Sequence, residues 1–343
     1  MLDKGVFVLS KSKAVEQYNV VRGLCDCVSY SFKTNPDVGR VLEECTDCSF
    51  CVHSVEALKM IKDKSRVWFF AQAWDAREIE GLLGQKVLSF VVDNVEDLNV
   101  LVDYIGKKGV RVNLMLRMRL KENTVHTGKY FVFGMYSREI NKRIAELRRN
   151  KNIGVLGVHF HRKTQNVSEW SIIDELSDAL DSKTFEMIDV LDIGGGLPVR
   201  YRNYSDPNIE GIFEKIKGLR KWLSGYGVKL MMEPGRFVCA PAVRLAMRVK
   251  KVYDNNVIVN CSVYNSAMDT IVANIKLMIE GELEEGHAYT VKGCTPCSTD
   301  IFRYRVFLDC PKEGDEIVFV NAGAYTYCTD FCSLSKLDVK VVD

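Results

Sequence analysis

VLSFVVDNVEDLNVLVDYIGKKGVRVNLMLRM, residues 87–118, is the stretch that decides the fold. It opens on a short β-branched and aromatic run, LSFVV (88–92), apolar at almost every position. The period then changes. In VEDLNVLVDYIGKK the apolar residues recur at helical spacing and the charged ones collect on the opposite face. After Gly109 a second apolar run follows, RVNLMLRM (111–118). A strand without a polar face is a strand covered on both faces, and two of them joined by a helix form a parallel βαβ unit.

The unit recurs. Similar runs lie at VSYSF (28–32), DCSFCV (47–52), VWFFA (67–71), GVLGVHF (154–160), MIDVLDI (187–193) and VKLMME (228–233), with charged amphipathic segments such as SREINKRIAELRRN between. Eight strand–helix units between residues 28 and 233 match a (β/α)8 TIM barrel. An open, doubly wound sheet is the rival. After about residue 240 the helices thin out, and AVRLAMRVKKVY, NVIVNCSVY, AYTVKGC and DEIVFVNAGAYTYC read as strands of a β-rich domain. The expected division is a barrel over 1–238 and a C-terminal β-domain over 239–343. The opening run GVFVLS either joins the β-domain or leads into the barrel.

Composition narrows the function. The chain has 343 residues, 47% of them hydrophobic, and a formal net charge of +2. That is enough for a large core and offers no basic footprint for nucleic acid. No run approaches a membrane span, and MLDKGVFVLSKSK lacks the apolar core of a signal peptide. The expected location is the cytoplasm, where twelve cysteines are reduced core thiols rather than a disulfide framework. CTDCSFC (Cys45, Cys48, Cys51) has iron–sulfur spacing, but it overlaps a strand whose alternation sends the thiols to different faces. No metal is expected there or at Cys294 and Cys297.

Barrel chemistry sits at the carboxyl ends of the strands. The first run ends in SFKTNPD with Lys33, the sixth at His161, the seventh in DIGGGLP with Gly194, Gly195 and Gly196, and the eighth in EPGR with Glu233 and Arg236. Singly these are weak signals, since a lysine after a strand is usually solvated and a glycine turn often only relieves crowding. Together they make a set. A desolvated lysine bonds to carbonyls, glycine amides cradle phosphate, and a buried acid holds a pyridine nitrogen protonated. Those are the needs of pyridoxal 5'-phosphate.

The motifs resemble those of the fold-type III pyridoxal-phosphate decarboxylases, the ornithine/diaminopimelate/arginine decarboxylase family. YSFKTNP is similar to its lysine motif and HTGKYFVFGM to its TGxxxKFG segment. GVHFH, DIGGGLP and EPGRFV are similar to its histidine, glycine and glutamate motifs, KGCTPCSTD to its cysteine–aspartate motif, and NAGAYT to its tyrosine motif. They fall in family order from about residue 28 to 330. The resemblance implies an alanine-racemase-like TIM barrel with a β-domain, and a homodimer with shared active sites. It implies Lys33 as the covalent anchor of the cofactor, His161 stacked on its ring, and Glu233 on its ring nitrogen. Gly195, Gly196, Arg236 and Tyr325 would hold the phosphate. Cys297 and Asp300 would reach into the partner's site, Cys297 as proton donor. His159, on the same strand face as His161, points into the barrel below the cofactor, or is a hydrogen-bonded core histidine.

The chain also departs from the family. Val132 stands at the KFG lysine, Phe50 at an aspartate, and His53 at the serine of the SxxE motif, whose acid is Glu56. Pro296 competes with Cys297 for the cysteine register. RKTQN after His161, and SAMDTIV, look more like carboxynorspermidine decarboxylases. In the segment where the family sets substrate choice the aligned residues are Ala273 or Asn274, and the nearest acid is Asp269. Asp269 is thus expected either to meet a cationic substrate end or to act as a helix cap. Three readings follow: a decarboxylase of a basic amino acid such as ornithine or lysine, of a carboxylated polyamine or diaminopimelate, or a non-catalytic homologue that regulates a partner.

Overall fold

A computed structural model describes residues 4–120, 132–162, 164–204, 208–326 and 328–343. Its first strand, β1 (Val6–Ser10), takes no part in the barrel. Eight parallel strands follow: β2 (Cys27–Ser31), β3 (Ser49–Val52), β4 (Val67–Ala71), β5 (Ser89–Val92), β6 (Val112–Arg117), β7 (Ile153–His159), β8 (Val190–Asp192) and β9 (Lys229–Met232). Each pairs with the next. β9 then pairs back onto β2, Cys27 opposite Met231 and Val28 opposite Met232, so the sheet closes. Closure settles the choice between barrel and open sheet. Each of the eight apolar runs contains or overlaps one of these strands.

The helix of the deciding stretch, Val95–Lys108, shows why the units form. The Asn94 side chain accepts from the Asp97 amide at 2.8 Å, and Gly109 ends the helix at φ +66°. Behind Lys33 the helix Pro36–Cys45 starts with proline at its first turn, and the Asn35 side chain caps Asp37 and Val38.

The second domain is a mostly antiparallel sheet of β10 (Val243–Tyr253), β11 (Asn256–Val259), β12 (Met278–Ile279), β13 (Ala288–Lys292), β14 (Ile301–Phe307), β15 (Glu316–Val320) and β16 (Asp338–Val342). It also takes β1, antiparallel to β10 and parallel to β16. The barrel boundary expected at residue 1 is therefore corrected: Val6–Ser10 belongs to the second sheet. Its partners lie at Val243–Ala246 and Asp338–Val342, pairings that no local pattern carries. The HTGKYF part of the expected TGxxxKFG segment lies outside the described residues.

Alternation sorts the barrel side chains into layers. Val91, Met115, Val190 and Met231 form an apolar cluster of their own, with Cys27, Trp68, Phe70 and Val155 against it, separate from the core under the helices. This is the barrel's plug. Two residues further along the same strands come Asp93, Arg117, Asp192 and Glu233, and four beyond Val155 comes His159. The mouth is polar because the sequence changes character above the plug.

Gly157 lies between Val155 and His159 on that inner face. A Cβ there would meet Val190 Cγ1 and the Val190 carbonyl oxygen, each at 2.5 Å, and Met115 Cγ at 3.0 Å. Gly157→Val should therefore destabilise the barrel by about 1–3 kcal/mol or more through overpacking. Denaturant unfolding checks this, and unchanged stability would mean that the plug has room.

Candidate active site

Lys33 leaves β2 on a single 3-10 turn, Phe32–Thr34, and its amine is exposed at the barrel mouth. The turn is held from the other domain. The Tyr325 amide donates to the Thr34 carbonyl at 2.9 Å, and Asn35 Nδ2 donates to the Gly323 carbonyl at 2.8 Å. Lys33 Nζ lies 3.5 Å from His53 Nε2. His53 stacks on Phe70 (centroids 4.6 Å apart, planes at 15°), and Phe70 meets His159 edge-on at 5.0 Å.

Beneath lies a buried polar layer. His159 Nε2 and Glu233 Oε2 are 3.3 Å apart, in side chains 1% and 5% exposed. Burial lowers the His159 pKa to about 4, so the contact is a hydrogen bond from a neutral imidazole and not an ion pair. Burial pushes Glu233 up to about 7, opposed by the neighbouring Cys51 thiol, the charge of Lys33 and the Asp192 carboxyl. Asp192 rises well above the carboxylate range through burial and then through Glu233. The two buried carboxyls thus disfavour each other's ionisation, and Asp192 is the one that holds its proton more tightly. Asp192 Oδ1 accepts from the Gly194 amide at 2.8 Å. Glu233 Oε1, Asp192 Oδ2 and His159 Nδ1 are buried without a partner.

An unpartnered buried acceptor is costly unless a ligand completes it, and Glu233 Oε1 is the acceptor that a protonated ring nitrogen requires. The remaining walls fit the rest of such a cofactor. Lys33, His161, Thr164, Gly195, Arg236 and Tyr325 line one cavity. Gly194 and Gly196 take φ +66° and +109°, which only glycine adopts without strain. A Cβ on Gly195 would sit 2.7 Å from the Glu233 carbonyl oxygen, so the turn packs flat against β9. The Gly195 amide donates to His161 Nδ1 at 3.3 Å and fixes that ring. His161 is open to the cavity, yet the protein around it and the charges of His159 and Lys33 hold its pKa below the imidazole range.

Arg236 is buried at 5% exposure. It donates to Tyr201 Oη (3.0 Å), Asp269 Oδ2 (2.6 Å) and Thr164 Oγ1 (3.2 Å), and its guanidinium lies 5.1 Å from the Tyr325 ring centroid. A cation fixed this firmly beside a hydroxyl and glycines can receive a phosphate. Asp269 sits in the first turn of the short helix Asp269–Val272, and its Oδ2 is held by Arg236. A buried arginine needs a counter-charge, and Asp269 supplies it. The expectation for Asp300 is corrected. It is 1% exposed, and its oxygens accept from the Val263 amide (2.9 Å), the Thr295 amide (3.0 Å) and Thr295 Oγ1 (2.7 Å). It ties its own loop together and does not reach outward.

Cys297 is placed differently. Tyr264 Oη donates to its sulfur at 3.0 Å, and that hydrogen bond, with help from Thr299, lowers the thiol pKa. Its polar partners, Tyr264, Thr295 and Thr299, all belong to the second domain. Cys45 is exposed at a helix end, Cys48 is buried before β3, and Cys51 faces the barrel interior, so the three do not converge as cluster ligands. Among the described residues His159, His161 and Glu233 offer three ligand atoms within 4.8 Å of one another, one fewer than a closed tetrahedral site needs. Sequence reasoning missed Thr164, Tyr201 and Asp192. The hydroxyls carry no local signal, but Asp192 could have been found by stepping two residues up β8 from Val190.

Residues 27–240 match the family model described as pyridoxal-dependent decarboxylase, pyridoxal binding domain. The diaminopimelate decarboxylase of Bacillus subtilis is 24% identical over 93% of this chain and 80% of its own length. Two solved structures superpose on the whole fold. One is the lysine/ornithine decarboxylase of Vibrio vulnificus complexed with putrescine (TM-score 0.82, 21% identity, 99% of this chain and 94% of that one). The other is the diaminopimelate decarboxylase of Helicobacter pylori complexed with L-lysine (TM-score 0.83, 19% identity, 99% and 91%). At that identity the structures establish the architecture, a TIM barrel with a β-domain.

The buried acids make the cofactor-free chain sensitive to pH. A carboxyl whose folded pKa is raised stabilises the fold below its unfolded value and loses that contribution as pH climbs to the folded one. For Glu233 the window runs from 4.5 to about 7. Glu233→Gln keeps the shape without the ionisation. Its stability relative to the parent chain should therefore rise by about 1–3 kcal/mol between pH ~5 and ~8. Thermal melts at both pH values check this, and a constant difference would mean that Glu233 ionises freely.

Proposed function

We propose, from the premise that the chain belongs to the pyridoxal-dependent decarboxylases, that it removes the α-carboxylate of a basic amino acid of the ornithine or lysine type, as a step in polyamine metabolism. The enzyme is a pyridoxal 5'-phosphate-dependent carboxy-lyase. The observation that carries its active state is the buried, unpartnered Oε1 of Glu233 beneath the Lys33 turn. A homologue kept only for regulation has no need to maintain a buried acid at that cost.

Lys33 Nζ is the covalent anchor. Gly195, Gly196, Thr164, Arg236 and Tyr325 would hold the phosphate of the bound cofactor, and His161 would lie against its ring. Asp192 keeps its own proton, which leaves Glu233 as the carboxylate that faces the ring nitrogen. Bound pyridoxal phosphate supplies the electron sink for breaking the Cα–carboxylate bond. Cys297 of a second copy then delivers a proton to Cα, which makes the protein a homodimer with two shared sites. Its partly exposed thiol and its hydroxyl partners, all in the second domain, support that assignment. A cavity of about 690 Å³ lies beside Lys33, walled by His53, Phe70, Asp93 and Arg117 with Glu56 and Glu78 at its rim. Arg117 neutralises Asp93 at 3.0 Å, so the net charge of these walls is negative and suits a distal ammonium. Twelve unpaired thiols support residence in the reducing cytoplasm.

A second reading, decarboxylation of diaminopimelate or a carboxylated polyamine, draws on the name of the Bacillus relative and on the uncharged Ala273 and Asn274. Carbon dioxide release from ornithine, lysine, diaminopimelate and carboxynorspermidine separates the readings. Ornithine or lysine should lead. Release from none of them, with cofactor bound, would overturn the enzymatic assignment.

Two variants test the parts. Lys33→Ala should lose covalent cofactor and about three or more orders of magnitude in turnover, because among the described residues no other amine lines the cavity. Mixed with Cys297→Ala chains, it should recover roughly a quarter of parental activity, since half the dimers carry one intact site. No recovery despite proven subunit exchange would show that Cys297 acts within its own chain or not at all.

A further inference from the structure

We infer that His53 is the proton acceptor for Lys33: its neutral imidazole takes a proton from the Lys33 ammonium and returns it, so that the lysine nitrogen can bond to and leave a carbonyl carbon. The inference rests on the reading of Lys33 as the covalent anchor, and goes beyond it by assigning the group that manages the anchor's proton.

Lysine reacts only as the free amine and is an ammonium at neutral pH. Its proton needs an acceptor within reach. Glu233 is buried a layer below and is engaged with His159 and Asp192. Among the described residues, the side chain within hydrogen-bonding reach of Lys33 Nζ is His53, whose Nε2 lies at 3.5 Å. That is long for a hydrogen bond, as catalytic contacts often are before ligand binds.

The setting keeps the His53 lone pair available. The ring is clamped flat on Phe70, and Cys51 Sγ lies 3.9 Å from each ring nitrogen. Cys51 is fully buried and its thiol is held neutral by burial, so it brings no charge. The groups facing His53 from neighbouring strands are Lys33 after β2, Arg117 at the end of β6 and His159 on β7. His53 is open at the mouth, yet the protein crowded around its ring, then Lys33 and the other two, lower its pKa to about 3. The imidazole is therefore unprotonated at rest, and because transfer from the ammonium to it is uphill, the imidazolium exists only until the proton is passed back.

The step balances. One proton moves from Lys33 Nζ to His53 Nε2, leaving a neutral amine and an imidazolium. When the carbonyl oxygen departs as water, or an incoming amine displaces the lysine, the same proton returns to the leaving oxygen or to Nζ. No oxidant or further reactant is needed.

The test follows the anchor rather than turnover. Full-length chain stripped of cofactor is mixed with pyridoxal phosphate. Capture at Lys33 is stopped with borohydride at timed intervals and counted by peptide mass spectrometry. His53→Gln, which retains a hydrogen-bonding group without the proton transfer, and His53→Ala should both load to the parental end point, but about 10²-fold more slowly. Imidazole in the buffer should restore speed to His53→Ala and leave the parent unchanged. Parental rates in both variants would overturn the inference, as would slow loading that imidazole does not rescue. If the parent chain itself captures nothing at Lys33, it is the reading of the anchor that fails.

Discussion

A carboxyl held in the barrel mouth with one oxygen unsatisfied is the constraint on which the remainder of this structure depends. An isolated charge in an apolar interior costs several kcal/mol or more, and such groups take up a proton unless their surroundings answer them. Here the surroundings answer in part. His159 and Asp192 engage Glu233 from β7 and β8, and Cys51 approaches from β3. They restrain and orient the acid without neutralising it, and they leave Oε1 for something else. The closed barrel makes this possible, because eight strands place inward side chains at one height over an apolar plug.

The second domain does more than cover an end. Asp269, at the start of the short helix Asp269–Val272 beyond β11, balances Arg236, which starts the helix after β9. Gly323 and Tyr325, from the segment after β15, clamp the turn that carries Lys33. A Cβ on Gly323 would sit 1.9 Å from the Cys239 carbonyl oxygen, so this segment packs backbone to backbone on the helix that Arg236 starts. Anchor and phosphate cup are therefore positioned jointly by both domains. Loosening the interface would misplace Lys33 and Arg236 together, a displacement to which site chemistry is steeply sensitive.

Much of this was legible in the chain. The eight apolar runs, the lysine turn, the glycine turn and the two acidic or histidine strand ends are local patterns, and a local pattern survives translation into structure. What escaped was long-range or two-sided. Val6–Ser10 has the composition of a strand and nothing that names its partners. Asp269 and Asp300 looked available because sequence shows charge and not occupancy, whereas the structure gives one to a guanidinium and the other to its own loop. Thr164 and Tyr201 are ordinary hydroxyls until Arg236 is set between them. His53 was visible only as an odd replacement for serine, and its meaning came from a neighbour twenty positions earlier.

The central claim is that Glu233 faces a protonated pyridine nitrogen, and the state of that nitrogen can be read directly. Pyridoxal phosphate labelled with nitrogen-15 in the ring should be loaded onto the full-length chain and its nitrogen resonance recorded across neutral pH. The account predicts the shift of a protonated pyridinium that persists well above the titration of free cofactor, because the Glu233 carboxylate stabilises the charge. A resonance at the unprotonated pyridine position throughout would contradict it. The buried acid would then serve another purpose, and the electron sink would have to come from elsewhere.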